Sequence, residues 1–299
     1  MWGTIKSRWY LLLGWIFDNL RRRGKTSPSI AALATLYPRS LTAHCRLALA
    51  YQLHERYADA IPKYERALQI KPDCAPAHAG LGWAFLHLGR FQEALDSLNR
   101  ASRVDPEYEN DSKHLVAISQ AQKEMGQFAD AVVTLNKAIS STPGDADALL
   151  QLSVVYSELG NWESVLRSGR EYVALRPNEV TGYWAISSAL SEMGRFDEAI
   201  SATNRALELN PKSLPDIEGL AWIYAKMNRY PDVIRELRRA LEIKPDAVKV
   251  RAWLAETYAE SGDFAAASSE QKNISKTDPA LADEVAALIE KSRQSKASC

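Results

Sequence analysis

Proline recurs along most of this 299-residue chain at an almost constant interval. Successive members of one series are 34 residues apart, except for a single interval of 37, and they are Pro72, Pro106, Pro143, Pro177, Pro211, Pro245 and Pro279. A fixed period of this length indicates a repeat architecture, in which each unit buries its apolar face against its neighbours. The chain is therefore expected to fold as stacked units rather than around one central core.

The register of the repeat follows when each of these prolines is taken as position 32 of a unit. Seven units result, and residues 109–111 are left over as an insertion in a loop. The units are 41–74, 75–108, 112–145, 146–179, 180–213, 214–247 and 248–281. Position 17 is aromatic in every unit, although aromatic residues make up only 9% of the chain. These residues played no part in choosing the register and therefore support it.

Three further positions predict the structure of each unit. Positions 8 and 20 carry small residues or valine throughout, as is required where two helix backbones pack closely. Position 15 is glycine in five units, Asn228 in the sixth and Glu55 in the first. Glycine and asparagine tolerate the left-handed conformation that ends a helix. The proline at position 32 ends the next helix because it has no N–H to donate. Each unit is therefore predicted to be a hairpin of two helices, named here helix A and helix B.

Residues 41–281 resemble the tetratricopeptide repeat (TPR) family. The resemblance rests on the small residues at positions 8 and 20, the aromatic residue at 17, alanine at 27 in most units and proline at 32. The segments GRFQEAL from Gly89 and GRFDEAI from Gly194 are close to the family's pattern between the two helices. The resemblance implies an all-α fold, a right-handed α-α superhelical solenoid of about seven TPR helical hairpins plus caps.

The sequence departs from the family pattern at two places. Position 4, often tryptophan in the family, holds other residues, namely His44, His78, Leu115, Leu149, Tyr183, Ile217 and Arg251. In the fourth unit Tyr172 replaces the usual alanine at position 27. Gly169 lies three residues earlier on the same helix face, and we expect it to make room for the Tyr172 ring.

The C-terminal residues 282–299 are predicted to form a capping helix and a tail. Within them, 282–292 has helical periodicity, with Val285, Leu288 and Ile289 on its apolar side and charged residues elsewhere. A helix of this kind covers the open end of a stack of repeats.

The N-terminal residues 1–40 contain the apolar run Trp9–Phe17, followed by a basic cluster from Arg21 to Lys25. Nine residues are too few to span a bilayer. The flanking residues do not form a signal-peptide cleavage site. Two interpretations remain open. Counting 34 residues back from Pro72 lands on Pro38, which favours a degenerate repeat or N-terminal cap. Alternatively, residues 1–25 contact a membrane surface through their tryptophans and basic side chains.

Composition limits the classes of function. Lys plus Arg and Asp plus Glu both total 37, so the net charge is zero and a nucleic-acid partner is not expected. The three cysteines are far apart and have no zinc-site or disulfide-framework spacing, which favours a reducing, cytoplasmic location, with or without peripheral membrane contact.

No catalytic motif is present, and nearly every residue is assigned to a repeat or a cap. The chain is therefore not expected to be an enzyme or to bind a cofactor or metal, and its oligomeric state stays open.

The family resemblance implies that the A helices line a concave face, at positions 2, 5, 9, 12 and 13, where a partner peptide or helix binds. Exposed tryptophans on such a face would dominate the binding energy. We predict a partner-binding groove that contains Trp83, His87, Trp184, Trp222, Trp253, Glu158, Glu192 and Glu256. The alternative for each tryptophan is packing against the next repeat.

Charge on the same face is mainly acidic in units four to seven, where Asp147, Glu158, Glu192, Glu218, Glu256 and Glu260 outnumber Lys226 and Lys249. This pattern suits a ligand with an apolar centre and a basic end, although a solvated helix face would carry similar charges. The predicted function is that of a scaffold or adaptor that binds a peptide or helix of a partner protein in this groove. The alternative is a membrane-associated assembly factor, anchored by residues 1–25, that recruits a client through the same groove.

Overall fold

A computed structural model of the chain describes residues 38–297, and every regular element in that range is a helix, as the all-α prediction requires. The chain divides into two compact units between Val155 and Tyr156. The first unit contains α1 (Leu41–Leu53), α2 (Tyr57–Ile70), α3 (Ala75–His87), α4 (Phe91–Val104), α5 (Glu107–Asn110), α6 (Ser112–Glu124) and α7 (Phe128–Ser141). Helix α8 (Ala146–Glu158) spans the division. The second unit contains α9 (Trp162–Leu175), α10 (Val180–Glu192), α11 (Phe196–Leu209), α12 (Leu214–Lys226), α13 (Tyr230–Ile243), α14 (Val248–Ser261), α15 (Phe264–Ile274) and α16 (Pro279–Ala297).

Helices that follow each other in the chain pack against each other within each unit. In the first unit α1 packs on α2, α3 on α4 and α6 on α7, and in the second α10 packs on α11, α12 on α13 and α14 on α15. The second helix of a hairpin also packs on the first helix of the next, as α2 does on α3 and α11 on α12. This is the helical-hairpin stacking of a solenoid. The short helix α5 overlaps the predicted insertion at residues 109–111.

The contacts between helices depend on the small side chains at positions 8 and 20. Every residue at these two positions is buried, and most of the alanines among them have no exposed surface. At Gly82, which holds position 8 of the second unit of sequence, an added Cβ would lie 2.6 Å from Leu98 Cγ. The backbones of α3 and α4 therefore approach more closely than larger side chains would allow.

The turn between helices A and B uses the left-handed conformation predicted for position 15. Glycine holds this position in five hairpins, and Gly126, for example, has φ of +73°. Asn228 and Glu55 adopt φ of 55° and 59°. A left-handed residue with a Cβ costs roughly 1–2 kcal/mol, which asparagine reduces by local hydrogen bonding. Glu55 therefore carries a conformational cost that the other hairpins avoid.

Position 4 has a structural role that explains part of its departure from tryptophan. Four of its seven residues carry a side-chain nitrogen or hydroxyl within hydrogen-bond distance of the carbonyl of the proline six residues earlier. For three of them that proline has position 32 of the preceding hairpin, and for His44 it is Pro38, which lies just before α1. The pairs are His44 with Pro38 (3.2 Å), His78 with Pro72 (2.8 Å), Tyr183 with Pro177 (3.0 Å) and Arg251 with Pro245 (2.9 Å). Different side chains, those of His78, Tyr183 and Arg251, thus satisfy the equivalent carbonyl after helix B in three hairpins.

The predicted role of Gly169 is wrong. A Cβ on Gly169 would face Ile186 of the next helix, at 3.1 Å from its Cγ1, so this glycine allows α10 to approach α9. The space for the Tyr172 ring is provided by Gly182, where an added Cβ would lie 2.6 Å from Tyr172 Cδ1. The ring points across to the next helix rather than along its own, which the spacing within α9 did not reveal.

The C-terminal helix α16 is longer than the predicted segment 282–292. It packs on α14 and α15, and its buried residues are Ala282, Val285 and Ile289. Leu288 is 44% exposed, so its predicted place on the packed side is wrong. The alternatives for the N-terminal segment concern residues that lie outside the described range, except for Pro38–Ser40.

His114 of α6 is a buried histidine whose surroundings favour the neutral form. Its Nε2 lies 3.0 Å from the carbonyl oxygen of Leu98, while its Nδ1 is buried without a hydrogen-bond partner among the described residues. Protonation would place an unpaired N–H at Nδ1, which is costly in a buried site. Burial lowers the pKa of His114, and the Leu98 carbonyl and Asp111 offset part of this effect.

We expect His114 to make stability depend on pH below about 6.5, the pKa of histidine in an unfolded chain. Because its pKa is lower in the folded state, the unfolded state binds the proton more readily, so stability is complete above that pH and declines as the pH falls through it. The decline attributable to one proton is at most about 1.4 kcal/mol per pH unit. Urea unfolding at about pH 7.5 and about pH 5.5 should show that His114→Gln removes this part of the pH dependence. Equal pH dependence in the two proteins would contradict it.

Candidate functional site

The four tryptophans of the predicted groove lie on A helices that line three clefts, one in the first unit and two in the second. The first cleft lies between α1 and α3 and has a volume of about 500 Å³. It is lined by the exposed side chains of Leu49 and Leu53 and by the half-buried Trp83. The His87 ring stacks on Tyr57 at 4.2 Å between centroids and on Trp83 at 6.2 Å. Trp83 therefore belongs to an aromatic stack within its own cleft.

The floor of the first cleft is filled by the side chain of Tyr64, which hydrogen bonds hold in place. Tyr64, at position 24 of its unit, lies against Gly80, where an added Cβ would overlap the tyrosine ring. Tyr64 Oη donates to Gln52 Oε1, and Gln52 Nε2 donates to the Gly80 carbonyl at 2.8 Å. This network ties α1, α2 and α3 together, and Tyr64 fills the space beside Gly80.

Cys45 also lines the first cleft, and Cys74 lies beside it although the two are 29 residues apart in sequence. Burial, followed by the neighbouring Cys74, raises the pKa of the Cys45 thiol to about 12. The thiolate is the nucleophilic form of cysteine, so this thiol is unreactive at neutral pH. The first cleft is lined by apolar side chains together with Arg46, Gln52 and His87.

The second cleft lies between α10 and α12 and has a volume of about 320 Å³. Trp184 is 46% exposed and Trp222 is 38% exposed, which is unusual for side chains of this size. Lys226 Nζ lies 4.9 Å from the centroid of the Trp222 ring. The exposed Glu192 lies at the rim. The structure therefore brings together three of the predicted site residues here.

The floor of the second cleft is open where that of the first is filled. Gly219 holds the same position in its hairpin as Gly80, but an added Cβ there would meet nothing within 4 Å. The residue at position 24, which is Tyr64 in the first cleft, is here Thr203. Thr203 is short and buried, and its hydroxyl lies 2.6 Å from Ser187 Oγ. No side chain of residues 38–296 fills the space over Gly219.

Asp216 of α12 lies beneath Trp184 and is only 3% exposed. Its backbone N–H donates to Ser213 Oγ at the start of the helix, where a negative charge is favourable. Its Oδ1 accepts a hydrogen bond from Trp184 Nε1, and its Oδ2 is buried with no partner among residues 38–296. Sequence reasoning missed this residue because an aspartate in the first turn of a helix is usually explained by the helix dipole alone.

The third cleft, of about 740 Å³, is lined by residues of α12, α14 and α16 and contains Trp253. Trp253 is half-buried and packs against the apolar core of the second unit, which agrees with the packing alternative for this residue. Glu218 and Lys249 lie in the same cleft. Its lining is therefore of mixed charge.

The remaining two glutamates of the predicted groove line none of these three clefts. Glu158 is exposed at the end of α8. Glu256 is half-buried on α14, and burial followed by the charge of Glu260 raises the pKa of its carboxyl. Among residues 38–297 no group of three histidine, cysteine or acidic side chains is arranged to hold a metal ion. No helix in that same part of the chain has both the length and the apolar character needed to cross a bilayer.

Family models described as tetratricopeptide repeat match this chain in several places. One matches residues 52–117 and 224–291, a second matches 180–213, and a third matches 11–73. Together they cover more than two-thirds of the chain, and the third reaches into the first forty residues. No curated protein sequence matches the chain.

Solved structures with the same fold include bacterial repeat proteins. The C-terminal part of a TPR repeat-containing protein from Cytophaga hutchinsonii has a TM-score of 0.70 and 16% identity, covering 81% of this chain and 98% of that one. A tetratricopeptide repeat protein from Parabacteroides merdae has a TM-score of 0.61 and 15% identity, covering 84% and 98%. The MamA protein has a TM-score of 0.53 and 22% identity, covering 57% and 92%. At these identities the similarity shows the fold alone.

The two glycines at position 6 should respond oppositely to substitution. Gly219→Ala should stabilise the protein by up to about 1 kcal/mol, because alanine is the better helix former and its methyl group enters open space. Gly80→Ala should destabilise it by roughly 1–3 kcal/mol, because the methyl group forces Tyr64 to move. Urea unfolding of both variants measures the difference. A loss of stability in Gly219→Ala as large as that in Gly80→Ala would contradict an open floor in the second cleft.

Proposed function

We propose that this chain, which belongs to the tetratricopeptide repeat family, is a non-catalytic interaction scaffold that binds a segment of a partner protein in the clefts between successive A helices. The observation that carries the proposal is the exposure of Trp184 and Trp222 across one cleft. Tryptophan is the side chain most enriched at the energetic centres of protein interfaces. An apolar surface that is left exposed beside polar residues is typical of an interaction site.

The first cleft supports the same proposal through exposed leucines and an aromatic stack. Leu49 and Leu53 are exposed on one side of α1, next to the aromatic stack of Tyr57, His87 and Trp83. The two clefts are open at the surface and are lined by helices A, whereas helices B supply packing to both neighbours. A partner segment that places one side chain in a cleft would bury aromatic surface without any rearrangement of the repeat core.

Affinity capture from the native cell extract tests this proposal. The intact chain should retain partners that a Trp83→Ala, Trp184→Ala, Trp222→Ala triple variant loses. For a captured partner, we expect the loss to reach about 2 kcal/mol or more, roughly thirtyfold in Kd. A Val133→Ala variant is the matched control, because Val133 is 70% exposed but lies on helix B of its hairpin.

A thermal melt should accompany each capture, because Trp83 is half-buried and its removal also affects packing. Partners that bind the folded triple variant as tightly as the intact chain would move the site away from the A helices. Partners lost equally from the Val133→Ala control would point to nonspecific adhesion.

A membrane-associated assembly factor is the second candidate, and the observation that favours it is the apolar run Trp9–Phe17 with the basic cluster that follows. The family match over residues 11–73 favours a degenerate repeat instead. Deletion of residues 1–25 separates the two. If these residues complete the repeat array, the deletion lowers the free energy of unfolding and neither protein floats with anionic vesicles. If they form an anchor, the full chain floats, the shortened chain does not, and stability is unchanged.

A further inference from the structure

We propose that the second cleft is a recognition site for the guanidinium group of an arginine side chain in the partner segment. This inference rests on the proposed function and specifies its chemistry. It is carried by four features of the cleft, which are two exposed indole rings, a cation already placed on one of them, a buried carboxylate with an unused acceptor, and an open floor.

The Trp222 ring already holds a cation. Lys226 lies one helical turn after Trp222 on α12, and its Nζ is 4.9 Å from the ring centroid. A cation within about 6 Å of an indole centroid is attracted by the electron density of the ring face. The Trp184 ring, across the cleft, is more exposed than Trp222. The cleft therefore offers aromatic surface to a cation, and only part of it is occupied by the chain itself.

The cleft contains two acidic side chains, Asp216 and Glu192. The Asp216 carboxylate is buried and accepts one hydrogen bond from Trp184, while its second oxygen has no partner among residues 38–296. No salt bridge of the described residues includes Asp216 or Glu192. A buried carboxylate without a counterion is costly, and a cation that binds close to it removes part of that cost.

Arginine fits this cleft better than lysine does. Its guanidinium is flat, so it stacks on an aromatic face and still directs N–H groups outward in its own plane. The cleft is open over Gly219, and it carries acceptors beyond the carboxylates, the hydroxyls of Ser188 and Ser191. Its volume of about 320 Å³ accommodates one side chain rather than a folded element. Lysine offers a compact point charge with fewer donors, which uses less of this surface.

Nuclear magnetic resonance of the full chain with ¹⁵N-labelled tryptophan tests the proposal directly. The eight indole N–H signals can be observed together, and Trp184→Phe and Trp222→Phe assign the two that matter. Titration with Nα-acetyl-arginine amide should shift the Trp184 and Trp222 signals and leave those of Trp83 and Trp253 in place. Nα-acetyl-citrulline amide, which has the same shape without the charge, should shift neither. Nα-acetyl-lysine amide should bind more weakly than the arginine compound.

Three variants locate the determinants. Asp216→Asn keeps an oxygen that accepts the Trp184 N–H but removes the charge, and it should weaken arginine amide binding at least tenfold. Gly219→Leu fills the open floor and should abolish binding while all charges stay in place. Lys226→Gln removes the resident cation from Trp222 and should strengthen binding by about two- to fivefold, the range of an exposed cation–π interaction. Thermal melts should show that each variant is folded.

The proposal is overturned if citrulline amide shifts the same signals as arginine amide, or if folded Asp216→Asn binds as tightly as the unaltered chain. Stronger binding of the lysine compound would overturn the assignment to arginine. Failure of this arginine-site proposal is distinguishable from failure of the proposed scaffold function. A captured partner that needs Trp184 and Trp222 but binds Asp216→Asn normally would leave the scaffold role intact and remove only the cation site.

Discussion

Close approach of helix backbones, made possible by the small buried residues at positions 8 and 20, is the constraint on which the rest of this structure depends. Once α3 and α4 meet at Gly82, or α12 and α13 at Ala221 and Val233, the larger side chains must point toward the neighbouring hairpins. The core of each unit is therefore built from local contacts between neighbouring hairpins. The left-handed turn and the terminal proline then set the length of each hairpin and so maintain the spacing of the helices.

Because the small residues and helices B form the core, part of the surface of the A helices does not contribute to it. Helices B such as α2 and α11 each contact the helix A before them and the helix A after them, so the core there requires only part of the A-helix surface. Residues on the remaining part can vary without affecting the stack. Leucines and an aromatic stack occupy it in the first cleft, and two indoles, serines and acidic residues occupy it in the second. Specificity can therefore differ from one hairpin to the next while the fold stays the same.

The same logic explains what could be predicted from the sequence. The helices and their turns follow from features that recur in every period, such as the aromatic at position 17 and Gly126 with its equivalents. Contacts that occur in only one repeat leave no periodic pattern in the sequence, and such contacts were missed or misassigned. Tyr172 packs on Gly182 of the next hairpin rather than on Gly169, and Cys45 lies beside Cys74 at the other end of the same repeat. Trp184 and Trp222 are exposed in the structure, whereas Asp216, which accepts a hydrogen bond from Trp184, resembled an ordinary first-turn aspartate in the sequence.

The contrast between Gly80 and Gly219 shows how a repeat can separate structure from function. Both are helical glycines at position 6, and each sacrifices up to about 1 kcal/mol of helix stability relative to alanine. At Gly80 this loss of helix stability has a structural reason, since Tyr64 occupies the space that a Cβ would need. At Gly219 none of the described side chains occupies the space, because Thr203 replaces the tyrosine. Local rules are most often broken at functional sites. The proposed function accounts for this glycine, since the open space beside Trp184 and Trp222 is where a side chain of the partner would bind.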